Sequence, residues 1–331
     1  LSEELSQIQY AEAKPWLCAF SSDCRFAVSA GFKFPLFHSP LTTHHSPIIA
    51  YLCRMTTVRI AILDLYAGQA NEGMRCIRAI ISQWAQDKGI AAVCTEFEVR
   101  DKQELPGLDF DIYISSGGPG SPLESEGSTW ERRYFDWIKT IDTWNETTSE
   151  APKPVLFICH SFQLACRYYG IATVCKRKST AFGIFPIHLL EAGEQEPLFN
   201  NMSNPLYAVD SRDFQVIQPN ETVLAKLHAR VLAIEKERPH VPYERAVMAV
   251  RFTEHNIGTQ FHPEADAAGM SRYLLREDRK QMVIANYGEA KWQSMIDQLN
   301  DPDKISYTHH HVLPNFLEMA FAATQRLPVL S

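Results

Sequence analysis

No stretch of the sequence approaches 18 consecutive apolar residues, so no helix able to span a membrane is expected. Leu1–Tyr10 carries two glutamates and no basic run, which is not the pattern of a secretory signal peptide. Nowhere do five basic residues stand together, and 32 Lys+Arg against 39 Asp+Glu leave a net charge of −7. A surface that tracks a phosphate backbone is therefore not expected, and nucleic acid is set aside as a partner. The 8 cysteines form no CxxC pair and no regular framework, in a chain too large to need stapling. They read as thiols in a reducing compartment, and the expected location is cytoplasmic. Internal repeats are absent as well. What is present is ordinary globular usage, 45% hydrophobic and 21% charged, over 331 residues, enough for two domains or one large domain with appendages.

Residues 1–54 differ from the rest. They are rich in Ser and Pro, carry aromatic clusters such as Phe32-Lys33-Phe34, and hold no sustained period. Met55 stands directly before the apolar run Val58–Leu63, which has the look of a buried parallel strand. The expectation is that Met55 is the natural start and that residues 1–54 are an extension, non-native or poorly ordered. From Val58 the pattern alternates. A helical period runs through Met74, Ile77, Ile80, Ile81 and Trp84 to a stop at Gly89. Ala91–Val99 reads as a second strand and Phe110–Ile114 as a third, which enters the turn Ser116-Gly117-Gly118-Pro119-Gly120. Trp130, Trp137 and Trp144 recur at helical core spacing. A fourth strand, Pro154–Ile158, meets Cys159 and then a helix that Gly170 closes. Such alternation predicts an α/β fold: an open, mostly parallel sheet with helices on both faces. Shorter strands are expected near 184–190, 206–209, 214–217 and 246–252, some of them antiparallel. Beyond about residue 270 the chain reads as helical, through Arg272–Leu299, a turn at Asp301-Pro302-Asp303 and a last amphipathic stretch Val312–Gln325. The domain expectation is thus 1–54, 55–270 and a helical extension 271–331.

Three features bear on chemistry. Cys159 stands at a strand-to-helix junction, where ligands gather in open α/β sheets and where free helix N–H groups stabilise a thiolate; alone it reads more readily as a small buried hydrophobe. In His262-Pro263-Glu264 the proline biases the histidine toward extended backbone, so the carboxylate two residues on can orient the imidazole. The glycine turn at 116–120 would let backbone N–H groups approach an oxyanion. It is not a P-loop, since no Gly-Lys-Ser/Thr follows. His309-His310-His311 is read as surface packing and not as a metal site, because adjacent histidines diverge and no partner ligand is spaced to join them.

Together these motifs resemble the class I, triad-type glutamine amidotransferases in order and spacing, most of all the glutaminase part of GMP synthetases. The resemblance covers about residues 58–270. It is carried further by Ala181-Phe182-Gly183, by Asp210-Ser211-Arg212-Asp213, similar to the family's Ser-His-x-Asp turn, and by Gly258-Thr259-Gln260-Phe261-His262-Pro263-Glu264, which resembles its G-x-Q-F-H-P-E. It implies a flavodoxin-like fold with Cys159 as nucleophile, His262 as base and Glu264 as its orienter. It further implies an oxyanion hole from the N–H groups of Gly118 and His160, and substrate contacts at Gly117, Gln163, Ser211 and Arg212.

The implied activity is hydrolysis of the glutamine side-chain amide through a cysteinyl thioester, with no metal or organic cofactor. Ammonia would pass to a separate synthetase-type subunit, since the stretch after Glu264 is too short for an ATP-dependent domain. Two alternatives stay open: a γ-glutamyl hydrolase or cysteine peptidase of the same superfamily, and a non-catalytic binding or regulatory subunit. The sequence departs from the family's G-x-C-x-G-x-Q elbow, with Phe157 and Ser161 in place of both glycines and Arg212 in place of the usual histidine. A strained or reshaped elbow is therefore expected.

Overall fold

The computed structural model describes residues 56–239, 244–299 and 301–325; the segment 1–54 and the start at Met55 lie outside the described residues. The first half builds strands and helices in alternation. These are β1 (Thr57–Asp64), α1 (Glu72–Lys88), β2 (Ala91–Glu98), β3 (Ile112–Ser115), α2 (Thr129–Thr147), β4 (Val155–Ile158) and α3 (His160–Tyr169). Each helix starts or stops where the local chemistry dictates. Asn71 caps α1 by accepting from Met74 N–H and Ser128 caps α2 by accepting from Glu131 N–H, while Gly89 and Gly170 end α1 and α3 in the left-handed conformation.

The second half adds β5 (Thr173–Leu189), the single turn α4 (Glu191–Glu194), β6 (Leu206–Ile217), α5 (Glu221–Leu227), β7 (Arg230–Glu235), β8 (Val247–Arg251) and β9 (Asn256–Thr259). All nine strands join one sheet in the order β2-β1-β3-β4-β9-β8-β7-β5-β6. The run β2-β1-β3-β4-β9 is parallel, and β8, β7, β5 and β6 continue it antiparallel. The expected α/β class and flavodoxin-like winding are therefore present, in a sheet that turns mixed beyond β9.

The parallel strands are apolar throughout because both faces are covered. Ile60, Ile62, Ile112, Ile114, Leu156 and Ile158 face α1, whereas Ala61, Leu63, Tyr113, Val155 and Phe157 face α2 and α3. Trp137 lies in that second layer, stacked 5.7 Å from Tyr134.

The single charged helix expected over Arg272–Leu299 is three: α6 (Ala267–Leu274), α7 (Glu277–Tyr287) and α8 (Glu289–Leu299). Gly288, at φ +83°, separates the last two. Their apolar residues Leu274, Val283, Met295 and Leu299 cover Ile184 and Val209 of the β5–β6 hairpin. After an irregular turn at Pro302–Ser306 comes α9 (Tyr307–Thr324), whose Val312, Leu313, Phe316 and Leu317 complete the core layer shared with α1. Among the described residues no helix is long and apolar enough to cross a membrane.

Candidate active site

The carboxyl ends of β3, β4 and β9 converge on one point, and Cys159 stands there. Its N–H extends the β4–β9 pairing by donating to the Thr259 carbonyl at 2.8 Å, and its own carbonyl accepts the first helical bond of α3, from Gln163 N–H at 3.0 Å. Between these two demands the residue adopts φ +49°, ψ −97°. A non-glycine residue held in so sparsely populated a region costs about 1–3 kcal/mol, which the surrounding structure must impose. The thiol is buried, donates to the Ser211 carbonyl at 3.8 Å, and lies 3.7 Å from Gln260 Nε2.

The two residues that replace the family's elbow glycines both have partners around this turn, whose strain sits at Cys159. Ser161 accepts from Ile158 N–H at 2.8 Å and donates to the Ser115 carbonyl at 2.8 Å, so its hydroxyl ties α3 to β4 and β3. Phe157 is fully buried and packs edge-on against Phe252 at 5.9 Å. Room for that cluster comes from Gly258, paired with Phe157 in the next strand, where a Cβ would lie 2.9 Å from Phe162 and 3.1 Å from Phe252.

His262 arrives from the loop after β9, with its N–H bound to the Val209 carbonyl at 2.9 Å. Its Nδ1 lies 2.8 Å from Glu264 Oε1. A carboxylate can only accept, so Nδ1 carries a proton, and the ring and the cysteine flank the same glycine, His262 Cε1 at 2.8 Å and Cys159 Cβ at 3.6 Å from where a Cβ on Gly117 would stand. Burial pulls the imidazole down, but the charges and hydrogen bonds of Cys159 and Glu264 outweigh it and hold His262 well above its ordinary range. Glu264 is itself 1% exposed, and its Oε2 has no partner among the described residues.

The glycine turn closes the opposite wall. On Gly117 a Cβ would sit 2.8 Å from His262 Cε1 and 3.6 Å from Cys159 Cβ, and on Gly118 it would strike the Leu65 carbonyl. Arg100 fixes this loop by donating to the Pro119 carbonyl at 2.7 Å. His160 is the first residue of α3, so its N–H has no acceptor within the helix and stands beside the sulfur. Its ring is a different matter: burial, with Arg100 and Arg167 nearby, pushes it down to about 3, which keeps it neutral.

Of the residues expected to touch substrate, Gly117 lies against the Cys159 side chain and Ser211 accepts from its thiol through the main-chain carbonyl. Gln163 is buried behind it, its side chain donating to Gln260 Oε1 at 3.0 Å, and Gln260 Nε2 in turn lies against the Cys159 thiol. Arg212 turns away. Its side chain is 1% exposed, donates to Asp210 Oδ1 at 2.8 Å and lies 3.5 Å from Glu235 Oε1, in a network that Arg177 and Arg238 extend.

Two residues at the site carried no role in the sequence reading. Gln260 lies inside the 258–264 motif, where its buried place after a strand could have marked it. Tyr66 follows β1 at its carboxyl end, the side on which ligands sit. Its hydroxyl would lie 3.2 Å from a Cβ on Gly117 and 2.6 Å from one on Gly73. Burial, then Glu264 and Cys159, push the phenol well above its usual value.

A cysteine poised at a helix start beside a histidine–carboxylate pair, at the carboxyl end of a doubly wound sheet, is an arrangement suited to acyl transfer from an amide. The family described as glutamine amidotransferase class-I matches residues 80–282, more than half of the chain, and the chain belongs to that family. A glutamine amidotransferase-like protein of Salmonella typhimurium, YfeJ, is 30% identical over 124 residues, 38% of this chain and 50% of the relative. The chain thus spans about half the length of the curated relative it matches. Among solved structures, a glutamine amidotransferase from Thermotoga maritima aligns with TM-score 0.57 at 15% identity, covering 80% of this chain and 97% of the other. One from Methylobacillus flagellatus aligns with TM-score 0.55 at 14% identity, covering 82% and 96%. At such identities these two show the shared fold. Family membership supports a glutaminase-type role.

Proposed function

We propose that the protein hydrolyses the side-chain amide of glutamine to glutamate and ammonia through a thioester on Cys159. The observation that supports this reading is that the elbow cysteine and His262 flank Gly117 together, with His262 Nδ1 2.8 Å from Glu264. The thiolate of Cys159 adds to the amide carbon, and the N–H groups of Gly118 and His160 receive the oxyanion. The carbon–nitrogen bond then breaks as the His262 imidazolium passes its proton to the departing amine, so ammonia leaves and the acyl group stays on sulfur. Water, deprotonated by His262, attacks the thioester, and glutamate departs as the thiol regains the proton. Glu264 keeps the ring oriented and stabilises its charge.

The ammonia is passed to a synthetase-type partner in the cytoplasm, and neither metal nor organic cofactor takes part in the steps above. The test is release of ammonia and glutamate from glutamine, run beside γ-glutamyl peptides, with Cys159→Ala as control. A diazoketone analogue of glutamine should label Cys159 alone. Labelling at Cys166 or Cys175 refutes the nucleophile, and release only from γ-glutamyl peptides makes the protein a γ-glutamyl hydrolase.

A further inference from the structure

The triad carboxylate is held from a part of the chain outside the segment that matches the family. His309, in the first turn of α9, lies 27 residues beyond the end of that match at 282 (309 − 282). Its Nδ1 donates to the main-chain carbonyl of Glu264 at 2.9 Å. The neighbouring rings do something else: His310 and His311 donate back to the carbonyls of Ser306 and Tyr307, at 2.6 and 2.8 Å. The three histidines therefore diverge, and only the first meets the site.

Glu264 needs such a hold. It stands in a turn after Pro263, between the isolated bridge at His262 and the cap of α6 at Asp266, and the turn's own bond, Ala265 N–H to the His262 carbonyl, is long at 3.4 Å. Asp266 is tied to Arg75 of α1 at 2.7 Å. The peptide between these anchors is free to swing unless its carbonyl is bound, and a swing there moves the carboxylate off His262 Nδ1. Helix α9 is itself docked firmly: Thr308 Oγ1 donates to the Tyr207 carbonyl at 2.6 Å, and Val312, Leu313 and Phe316 are buried in the sheet layer. Burial keeps the His309 ring below its ordinary value, and so a neutral donor, although the bond to Glu264 and the charges of Asp266 and Glu264 work against that.

We infer that His309 is a positioning residue for the triad: by binding the Glu264 carbonyl it fixes the carboxylate that orients His262, and it makes helix α9 a working part of the active site. The inference rests on the reading of Cys159, His262 and Glu264 given above. Loosening the carboxylate changes the chemical step and not substrate binding.

The experiment compares His309→Leu, which removes the donor, with His309→Asn, whose amide can occupy the place of Nδ1, and with His310→Leu, which removes the adjacent ring's bond to Ser306 and leaves Glu264 untouched. Glutamine hydrolysis and alkylation of Cys159 by iodoacetamide are both measured, with melting temperature alongside. His309→Leu is expected to lower kcat about tenfold with KM unchanged, as a small misplacement near the chemistry does, and to slow alkylation. His309→Asn should recover most of both, and His310→Leu should keep the wild-type kcat. A His309→Leu variant with wild-type kcat and alkylation overturns the inference, as does a His310→Leu variant that loses as much. Should His309→Leu not fold, His309→Phe, a ring without the donor, takes its place: wild-type kcat and alkylation refute the role, and a tenfold loss that His309→Asn does not share supports it. If wild type turns over no γ-glutamyl substrate, the functional reading fails, yet the alkylation rates still test His309.

Discussion

The hydroxyl of Ser161 donates to the carbonyl of Ser115 at 2.8 Å, so the residue standing in place of the family's second elbow glycine stitches α3 to β3. The same oxygen accepts from Ile158 N–H, a donor buried at the end of β4. The elbow is thereby secured by a hydrogen-bonded hydroxyl.

Ser161→Ala is expected to cost about 1–3 kcal/mol, because it removes a buried hydroxyl bonded to both the Ile158 N–H and the Ser115 carbonyl. Denaturant unfolding measures it. The Cys159 thiol should keep its alkylation rate, since no atom facing the sulfur is removed. A variant as stable as wild type would show the hydroxyl contributes nothing.

Arg212 is expected to matter for stability more than for substrate. It joins Asp210 and Glu235 in a buried network where burial raises the Glu235 carboxyl but Arg212, Arg177 and Arg238 together bring it below its ordinary value. Arg212→Met leaves two carboxylates facing fewer cations, and removing one partner of such a buried set costs about 3–5 kcal/mol. Chemical denaturation should show this loss, with KM for glutamine near wild type in the folded fraction. A stable variant whose KM rises tenfold would instead place the guanidinium on the substrate.

The parallel half of the fold was legible because its signals are local. Val58–Leu63 and Pro154–Ile158 are continuous apolar runs, and Gly89 and Gly170 mark helix ends. The site motifs were legible for the same reason: Cys159 follows a strand, and the pair His262 and Glu264 is set by Pro263. The antiparallel half was harder. Strand β5 is 17 residues long, carries the exposed Lys-Arg-Lys stretch 176–178, and shifts register between Lys176 and Ala181, so no clean alternation survives. Strand β7 does carry an apolar run, Val231–Ile234, but one too short beside the α5 helix to be told from a helix end. Arg212 and Gln163 stand at family positions, but what their side chains meet is decided by Glu235 and Gln260, contacts across the sheet that spacing does not contain. His309 was hidden for a like reason: nothing local in three adjacent histidines says that one reaches Glu264.

Stability should depend on pH through His262. Its folded value is raised well above the ordinary ~6.5. The favourable contribution is then fully present below about 6.5 and is lost as pH rises through the raised folded value. Glu264→Gln removes one of the charges that raise it. The gap in melting temperature between wild type and Glu264→Gln should therefore be widest below about pH 6.5 and narrow as pH rises through the raised folded value of His262. A gap that widens with rising pH would mean that His262 is neutral in the folded protein.

Gly117→Ala should silence the site without unfolding the chain. A methyl there would lie 2.8 Å from His262 Cε1, 3.2 Å from the Tyr66 hydroxyl and 3.6 Å from Cys159 Cβ. His262 cannot step aside freely, because its N–H is bound to the Val209 carbonyl and its Nδ1 to Glu264. The ring must tilt off the sulfur or off the carboxylate, and either misplacement is expected to cost about 100-fold in kcat. Overpacking by one methyl at the edge of a cleft should cost stability no more than about 1–3 kcal/mol. Adding Tyr66→Phe relieves the second contact and leaves the first, so the double variant should stay inactive. Recovery in the double variant would show that the tyrosine hydroxyl, and not the imidazole, is what the new methyl displaces.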